Sequence, residues 1–148
     1  MNIDPGAWAL IYCHKTGKFL LGKRSHLVHK PGCWNFFGGH LEPGESPLKA
    51  VLRELGEETG LSPAAADLQP LGSHRFQELG YVAGLREFHY FVMFTDRELT
   101  PKLGSEHSLF RWFAPAAIPR NVNRPSSVAI SIGLVLKTQR LADQLGLR

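Results

Sequence analysis

The chain has 148 residues, 43% hydrophobic and 20% charged, with a formal net charge of +4. This is the make-up of an ordinary globular chain with one domain's length, expected to span 1–148 and to bury a core without staples. No run of about 18 uninterrupted apolar residues offers a membrane span. A mild positive charge favours anionic ligands in general. No Lys/Arg run marks a nucleic-acid footprint, so no stable nucleic-acid complex is expected. The two cysteines, Cys13 and Cys33, form no C-x-x-C pair, which argues against a zinc ribbon or a thioredoxin-like motif. Free thiols in a reducing compartment are expected. The N-terminus lacks a basic start followed by an apolar run, so a cytoplasmic protein, monomer or homodimer, is the simplest expectation.

In chain order, Ala7 to Cys13 is a compact apolar run that predicts a buried strand. His14 to Gly17 reads as a turn, and Lys18 to Arg24 as a second strand pairing with the first in a hairpin. Ser25 to Gly32 is polar and predicts a loop. Trp34 to Phe37 is short and aromatic and leads into Gly38-Gly39. Ser46-Pro47 is a helix start, with Ser as N-cap and Pro in the first turn. Gly60 is the matching stop in a left-handed conformation. Between them Leu48, Val51, Leu52 and Leu55 form an apolar stripe. Gly56 costs about 1 kcal/mol relative to Ala inside a helix, and so suggests close approach of another element. Pro63 to Asp67 reads as a connector. Gln69 to Leu79 and Leu85 to Thr95 predict two more strands around Gly80 to Gly84. The second of these has apolar groups on both faces, which marks a central strand covered on both sides. Ser108 to Phe113 predicts another strand, and Pro115 to Pro119 a short turn or helical piece. Ser126 to Leu145 predicts a second long helix, with Val128, Ile132, Val135 and Leu136 at core spacing. Strands and helices in this order predict a mixed β-sheet between helices, an α/β protein.

The chemistry concentrates between Gly39 and Leu61. Glu54, Glu57 and Glu58 lie at i, i+3 and i+4, so a helix places their carboxylates on one narrow face. Glu45 stands just before that helix. Like charges at this spacing repel by a few tenths of a kcal/mol per pair. A solvated helix face also carries acids, but a crowd of this kind suits a hard divalent cation such as Mg²⁺, which prefers oxygen ligands.

The segment fits the pattern G-x5-E-x7-R-E-U-x-E-E-x-G-U, where U is apolar, at Gly39, Glu45, Arg53, Glu54, Leu55, Glu57, Glu58, Gly60 and Leu61. On these residues the chain resembles the Nudix (MutT-like) hydrolases. The resemblance implies an α/β/α sandwich and Mg²⁺-dependent cleavage of a phosphoanhydride in a nucleoside diphosphate linked to another group, with Mn²⁺ a possible substitute. It implies that Glu54, Glu57 and Glu58 bind metal, with the Gly39 carbonyl and Glu45 as further ligands. Arg53 would orient a neighbouring glutamate. The general base is then either Glu54 or the loop acid Glu106.

Trp34-Asn35-Phe36-Phe37-Gly38-Gly39 resembles the W-N-x-F-G-G run of oxidised-purine nucleoside triphosphatases in that family. It implies that Asn35 reads a base while Trp34 or Phe76 stacks on a ring. Those enzymes also carry an acidic pair after an Ile-Pro. Here Ile118-Pro119 is followed by Arg120-Asn121-Val122-Asn123, with no carboxylate. Lys23, Arg24 and Arg75 are basic candidates for phosphate contacts, and His40 is a further one inside the motif. The expected substrate is a (deoxy)nucleoside triphosphate, cleaved to the monophosphate and pyrophosphate. The alternatives are a nucleotide sugar such as ADP-ribose, or a non-catalytic nucleotide-binding module.

Overall fold

The computed structural model describes residues 3–78 and 84–148. Its strands are β1 (Ile3–Cys13), β2 (Lys18–Arg24), β3 (Trp34–Asn35), β4 (Phe37–His40), β5 (Leu68–Glu78), β6 (Gly84–Thr95) and β7 (His107–Phe113). Its α-helices are α1 (Pro47–Thr59), α2 (Arg124–Ser131) and α3 (Leu134–Gln144), with short 3₁₀ turns at Ala65–Asp67 and Pro115–Ala117. The expected end of the fifth strand at Leu79, and most of the Gly80 to Gly84 connection, lie outside the described residues.

β1 and β6 form the spine of a mixed seven-stranded sheet. They run parallel from Ile3 opposite Leu85 to Cys13 opposite Thr95. The other edge of β1 is divided. Gly6 to Ala9 pairs antiparallel with β4, and Ile11 to Cys13 pairs antiparallel with β2. β5 closes one side against β6, while β3 and β7 both pair with β2. The N-terminal strand therefore starts four residues earlier than its apolar run, because β6 continues to supply partners back to Ile3. The aromatic run splits into two short strands, since Trp34 and Asn35 pair with β2 whereas Phe37 onward pairs with β1.

Side-chain alternation along β1 divides the core in two. Ala7, Ala9 and Ile11 face α1 and pack with Val51, Leu55, Phe37 and Phe91. Trp8, Leu10 and Tyr12 face α2 and α3 and pack with Phe88, Tyr90, Ala129 and Leu134. β6 feeds both clusters, as expected of a central strand. The result is the predicted α/β/α sandwich, with α1 on one face and α2 and α3 on the other. Among the described residues no helix is long and apolar enough to cross a membrane.

α1 follows its sequence signals. Ser46 accepts a hydrogen bond from Lys49 N at 3.2 Å, and Pro47 sits in the first turn. Gly60 has φ 70° and donates to the Gly56 carbonyl at 3.1 Å. Gly56, however, is exposed, and a methyl group there would meet only the Leu61 carbonyl oxygen at 3.8 Å. The expected close approach at this glycine does not occur.

The second long helix is two helices. Gly133 adopts φ 84° between α2 and α3. The left-handed turn redirects the chain, so that Leu134, Thr138 and Ala142 point inward. Val128 and Val135 still pack on the core, but Ile132 and Leu136 are 38% and 51% exposed, against expectation. Lys137 anchors α3 by donating to the Leu71 carbonyl, at the bulge of β5 between Pro70 and Gly72. The break sets the sign of a substitution. In a continuous helix Gly133→Ala would stabilise by about 1 kcal/mol. At φ 84° it costs about 1 kcal/mol instead. Urea unfolding of the variant should show a lowered midpoint with unchanged slope.

Candidate active site

Two glycines press the acidic helix against the sheet. A methyl group at Gly38 would lie 2.1 Å from the Ala7 carbonyl oxygen, so only glycine lets β4 pass this close to β1. At Gly39 it would lie 2.6 Å from Glu54 Oε1. The backbone of β4 and the carboxylate of Glu54 therefore share space that a side chain would take.

Arg53 gathers the surrounding acids. It grips Glu45 with two parallel bonds, Nε to Oε2 and Nη2 to Oε1, both 2.9 Å. Nη1 donates to Glu54 at 3.0 Å and reaches Glu57 at 3.4 Å. Nη2 also meets the His40 carbonyl at 3.1 Å, and Nε lies 3.6 Å from Glu42. The bidentate pair holds the Glu45 carboxyl at about 2, and Arg53 is raised above its ordinary value in turn.

Glu58 lies beneath this network and is only 3% exposed. Gly38 N donates to its Oε2 at 3.1 Å. Burial pushes its carboxyl well above the usual range, and the charges of Glu54 and Glu106 push it further. Glu54 is raised too, first by burial, against the opposing pull of Arg53. Glu106 reaches this cluster because its loop is tied down on two sides. Lys102 N and Gly104 N donate to the last carbonyls of α1, Thr59 at 2.9 Å and Glu58 at 3.1 Å. Ser25 N donates to the Glu106 carbonyl at 2.8 Å, and Ser25 Oγ donates to Ser105 O at 2.7 Å. Gly104 is needed at this contact, since a methyl group there would fall 2.6 Å from the Glu57 carbonyl oxygen.

Among the described residues no three acidic, imidazole or thiol side chains form a finished metal cage. Arg53 draws Glu45 and Glu57 outward. The charge of Glu106 nevertheless raises the proton affinity of both Glu54 and Glu58, and the charge of Glu54 raises that of Glu58. A buried carboxylate that repels two neighbours is stabilised by a cation, and these donors are all hard oxygens. The residues present therefore fit a divalent ion such as Mg²⁺ or Mn²⁺.

The acids open onto a cleft of about 660 Å³, a size that suits a nucleotide. Glu54, Glu106, Glu42 and Arg53 line one part of it, and Gly38 to His40 form its edge. Arg24, His29, Lys30, Arg86 and Arg124 make the rest strongly basic, with Trp8 among the lining side chains. Arg24 is steered by its bond from Nε to the His29 carbonyl at 2.6 Å. His40 lies at the edge and pairs with Asp4 at 3.0 Å.

Three expected substrate contacts lie elsewhere. Trp34 is buried and packs edge-on to Phe113 at 5.0 Å. Asn35 is 2% exposed and its carboxamide is used internally. Its Nδ2 donates to the Phe36 carbonyl at 2.6 Å, and its Oδ1 accepts from His107 Nε2 at 3.1 Å. Phe76 stacks on His74 and lies under the guanidinium of Arg124, 5.5 Å from Cζ. None of the three lines the cleft. Lys23 stays in the β2 ladder, and Arg75 of β5 pairs with Glu87 of β6, also away from the cleft. Conversely, Trp8, Arg86 and Arg124 line the cleft and were not singled out from the sequence. Trp8 read as core, and no motif marks the other two.

Fold and site together define an enzyme that hydrolyses phosphoric anhydrides. A family model described as NUDIX domain matches residues 4–130, and the chain belongs to that family. The chain is 31% identical over 110 residues to a protein described as CTP pyrophosphohydrolase from Escherichia coli K12, covering 71% of this chain and 80% of the relative. It is 33% identical over 95 residues to an 8-oxo-dGTP diphosphatase of Proteus vulgaris, covering 64% and 81%. The crystal structure of a MutT NUDIX hydrolase from Burkholderia pseudomallei shares the fold, with a TM-score of 0.72 at 22% identity, covering 88% of this chain and 98% of that one.

Two stability effects follow from the site. The Glu58 carboxyl is raised in the folded state, so its contribution is present at low pH and is lost as pH rises above the unfolded value near 4.5. At pH 8 in EDTA, Glu58→Gln should therefore raise the melting temperature, by about 3–4 °C for each kcal/mol of relieved penalty. Excess Mg²⁺ should raise it for the unsubstituted protein and much less for the variant. His107 runs the other way. Burial lowers it from 6.5 to about 4, and its Nδ1 has no hydrogen-bond partner. Its contribution is full above pH 6.5 and fades as pH falls toward 4, a loss of about 3 kcal/mol. Urea titrations between pH 7 and pH 4 should show that slope, and His107→Gln should remove it.

Proposed function

We propose that this chain is a Mg²⁺-dependent pyrophosphohydrolase of (deoxy)nucleoside triphosphates, with Mn²⁺ as a substitute ion. Water and the triphosphate would give the nucleoside monophosphate and pyrophosphate. The observation that carries this reading is the buried Glu58, crowded by Glu54 and Glu106, at the acidic end of a basic nucleotide-sized cleft. The relatives described as acting on CTP and 8-oxo-dGTP support a triphosphate. Among the described residues one sheet carries all seven strands, which supports a single domain over 1–148.

Glu58 and Glu106 would hold the cation together with the Gly39 carbonyl, with Glu57 and Glu45 as outer oxygens. When bound, the ion would neutralise diphosphate charge and favour attack by water. Glu54 is the residue proposed to take the proton from that water. It lines the cleft, its proton affinity is raised by burial, and Arg53 fixes its orientation at 3.0 Å. Arg53 is a positioning residue, holding Glu45, Glu54 and Glu57 in one register. Arg24 would meet a phosphate from the opposite wall, where a guanidinium matches its geometry.

The test is a panel of nucleoside triphosphates and ADP-ribose with pyrophosphate and phosphate detection, with and without Mg²⁺. Pyrophosphate release from triphosphates that stops in EDTA is expected. Turnover of ADP-ribose alone would move the substrate to nucleotide sugars, and no turnover at all would leave a binding module. Glu54→Gln should lower kcat by about 10²–10⁴-fold with little change in KM.

A further inference from the structure

Glu106 reaches the acidic cluster from a loop, whereas Glu54 and Glu58 are fixed by α1. Its position therefore depends on what holds that loop to the sheet. β7 starts at His107, and its ladder with β2 is irregular just there. Lys23 pairs with Leu109 and Arg24 with His107, so Ser108 is an extra residue on β7. A bulge of this kind bends the strand and re-aims its neighbours. Beyond it the chain meets Ser25, the first residue after β2.

Ser25 is buried and bonds through both its backbone and its hydroxyl. Its N–H donates to the Glu106 carbonyl at 2.8 Å, and its Oγ donates to the Ser105 carbonyl at 2.7 Å. The same Oγ accepts from Leu27 N at 3.3 Å. One hydroxyl thus joins the acidic loop to the polar loop that brings His29 and Lys30 to the cleft. On the other side of Glu106, His107 Nε2 meets Asn35 Oδ1 at 3.1 Å. These ties fall on backbone oxygens and on a neighbouring side chain. They leave the Glu106 carboxylate to line the cleft with Glu54.

The anchor acts against a force. Glu54 and Glu58 repel Glu106, which pushes its loop outward whenever no cation lies between them. A ligand on a loose loop also loses freedom when it binds, and that loss weakens affinity. A loop already held loses less. We propose that Ser25 is a positioning residue whose hydroxyl holds Glu106 against this repulsion, so that Glu58 and Glu106 can share a divalent ion, an inference that rests on the Mg²⁺-dependent reading of the same site.

The experiment titrates Mn²⁺ alone into the protein without nucleotide, following the free ion by electron paramagnetic resonance. It compares the unsubstituted protein with Ser25→Ala, Ser25→Cys, Ser25→Thr, Ser108→Ala and Glu106→Gln. Cysteine keeps the volume but is a weak donor, and threonine keeps the hydroxyl. Ser108 Oγ is exposed and 3.5 Å from the Lys23 carbonyl, so its removal is the control. Thermal melts in EDTA confirm that each variant is folded. The Ser25 N–H survives in every variant, so Ser25→Ala and Ser25→Cys should weaken Mn²⁺ binding by about tenfold rather than abolish it. Ser25→Thr and Ser108→Ala should stay within about threefold of the unsubstituted protein. In turnover, the Mg²⁺ concentration giving half the maximal rate should rise by about the same tenfold in Ser25→Ala, while kcat at saturating Mg²⁺ stays within about threefold. General loosening of the fold does not produce that split. Unchanged Mn²⁺ affinity in Ser25→Ala and Ser25→Cys, beside a loss in Glu106→Gln, overturns the proposal and leaves the hydrolase reading standing. An unsubstituted protein that takes up no Mn²⁺ and turns over no triphosphate overturns both.

Discussion

A single guanidinium keeps the acidic helix compatible with a folded protein. Without Arg53, Glu45, Glu54 and Glu57 would meet one another at close range with little to offset the repulsion. The bidentate grip on Glu45 and the single bond to Glu54 convert that repulsion into a fixed arrangement. The glycines of β4 complete it by letting Glu54 lie against the strand backbone. Arg53 does not neutralise Glu58, which lies deeper, and that residual imbalance is what makes a divalent ion welcome.

The cleft is polarised by the two ends of the fold. Acids come from α1 and from the loop that its C-terminal carbonyls hold in place. Cations come from the end of β2, from β6 and from the start of α2. A nucleotide polyphosphate is itself uneven, with charge along the chain and a planar base at one end. A site with a cation-binding pole and a donor-rich, aromatic-backed pole matches that shape. Helix and strand positions carry Glu54, Arg24, Arg86 and Arg124, while Glu106 comes from a loop tied to α1 and to Ser25.

The legibility of the sequence varied with how local the cause was. α1 was readable because its cap, its proline, its stop glycine and its stripe are all local signals, and each is found in place. The acids were readable because i, i+3, i+4 spacing fixes a face without any tertiary contact. The break at Gly133 was not, because the apolar spacing runs through the glycine and only packing decides whether the chain turns there. Asn35 misled for a similar reason. A motif letter gives a residue type, but the neighbouring His107 claims its carboxamide.

The sequence by itself determined the helix that carries the glutamates, the strand-rich sandwich around it and the family to which the chain belongs. These depend on periodicity, caps and a dense local motif. Tertiary structure decided which side chains share the cleft. Trp8, Arg86 and Arg124 are far apart in the chain and meet only because β1 and β6 run in parallel register and α2 begins above them. Side-chain neighbourhoods across a sheet depend on register and on non-local packing, which spacing along one chain does not encode.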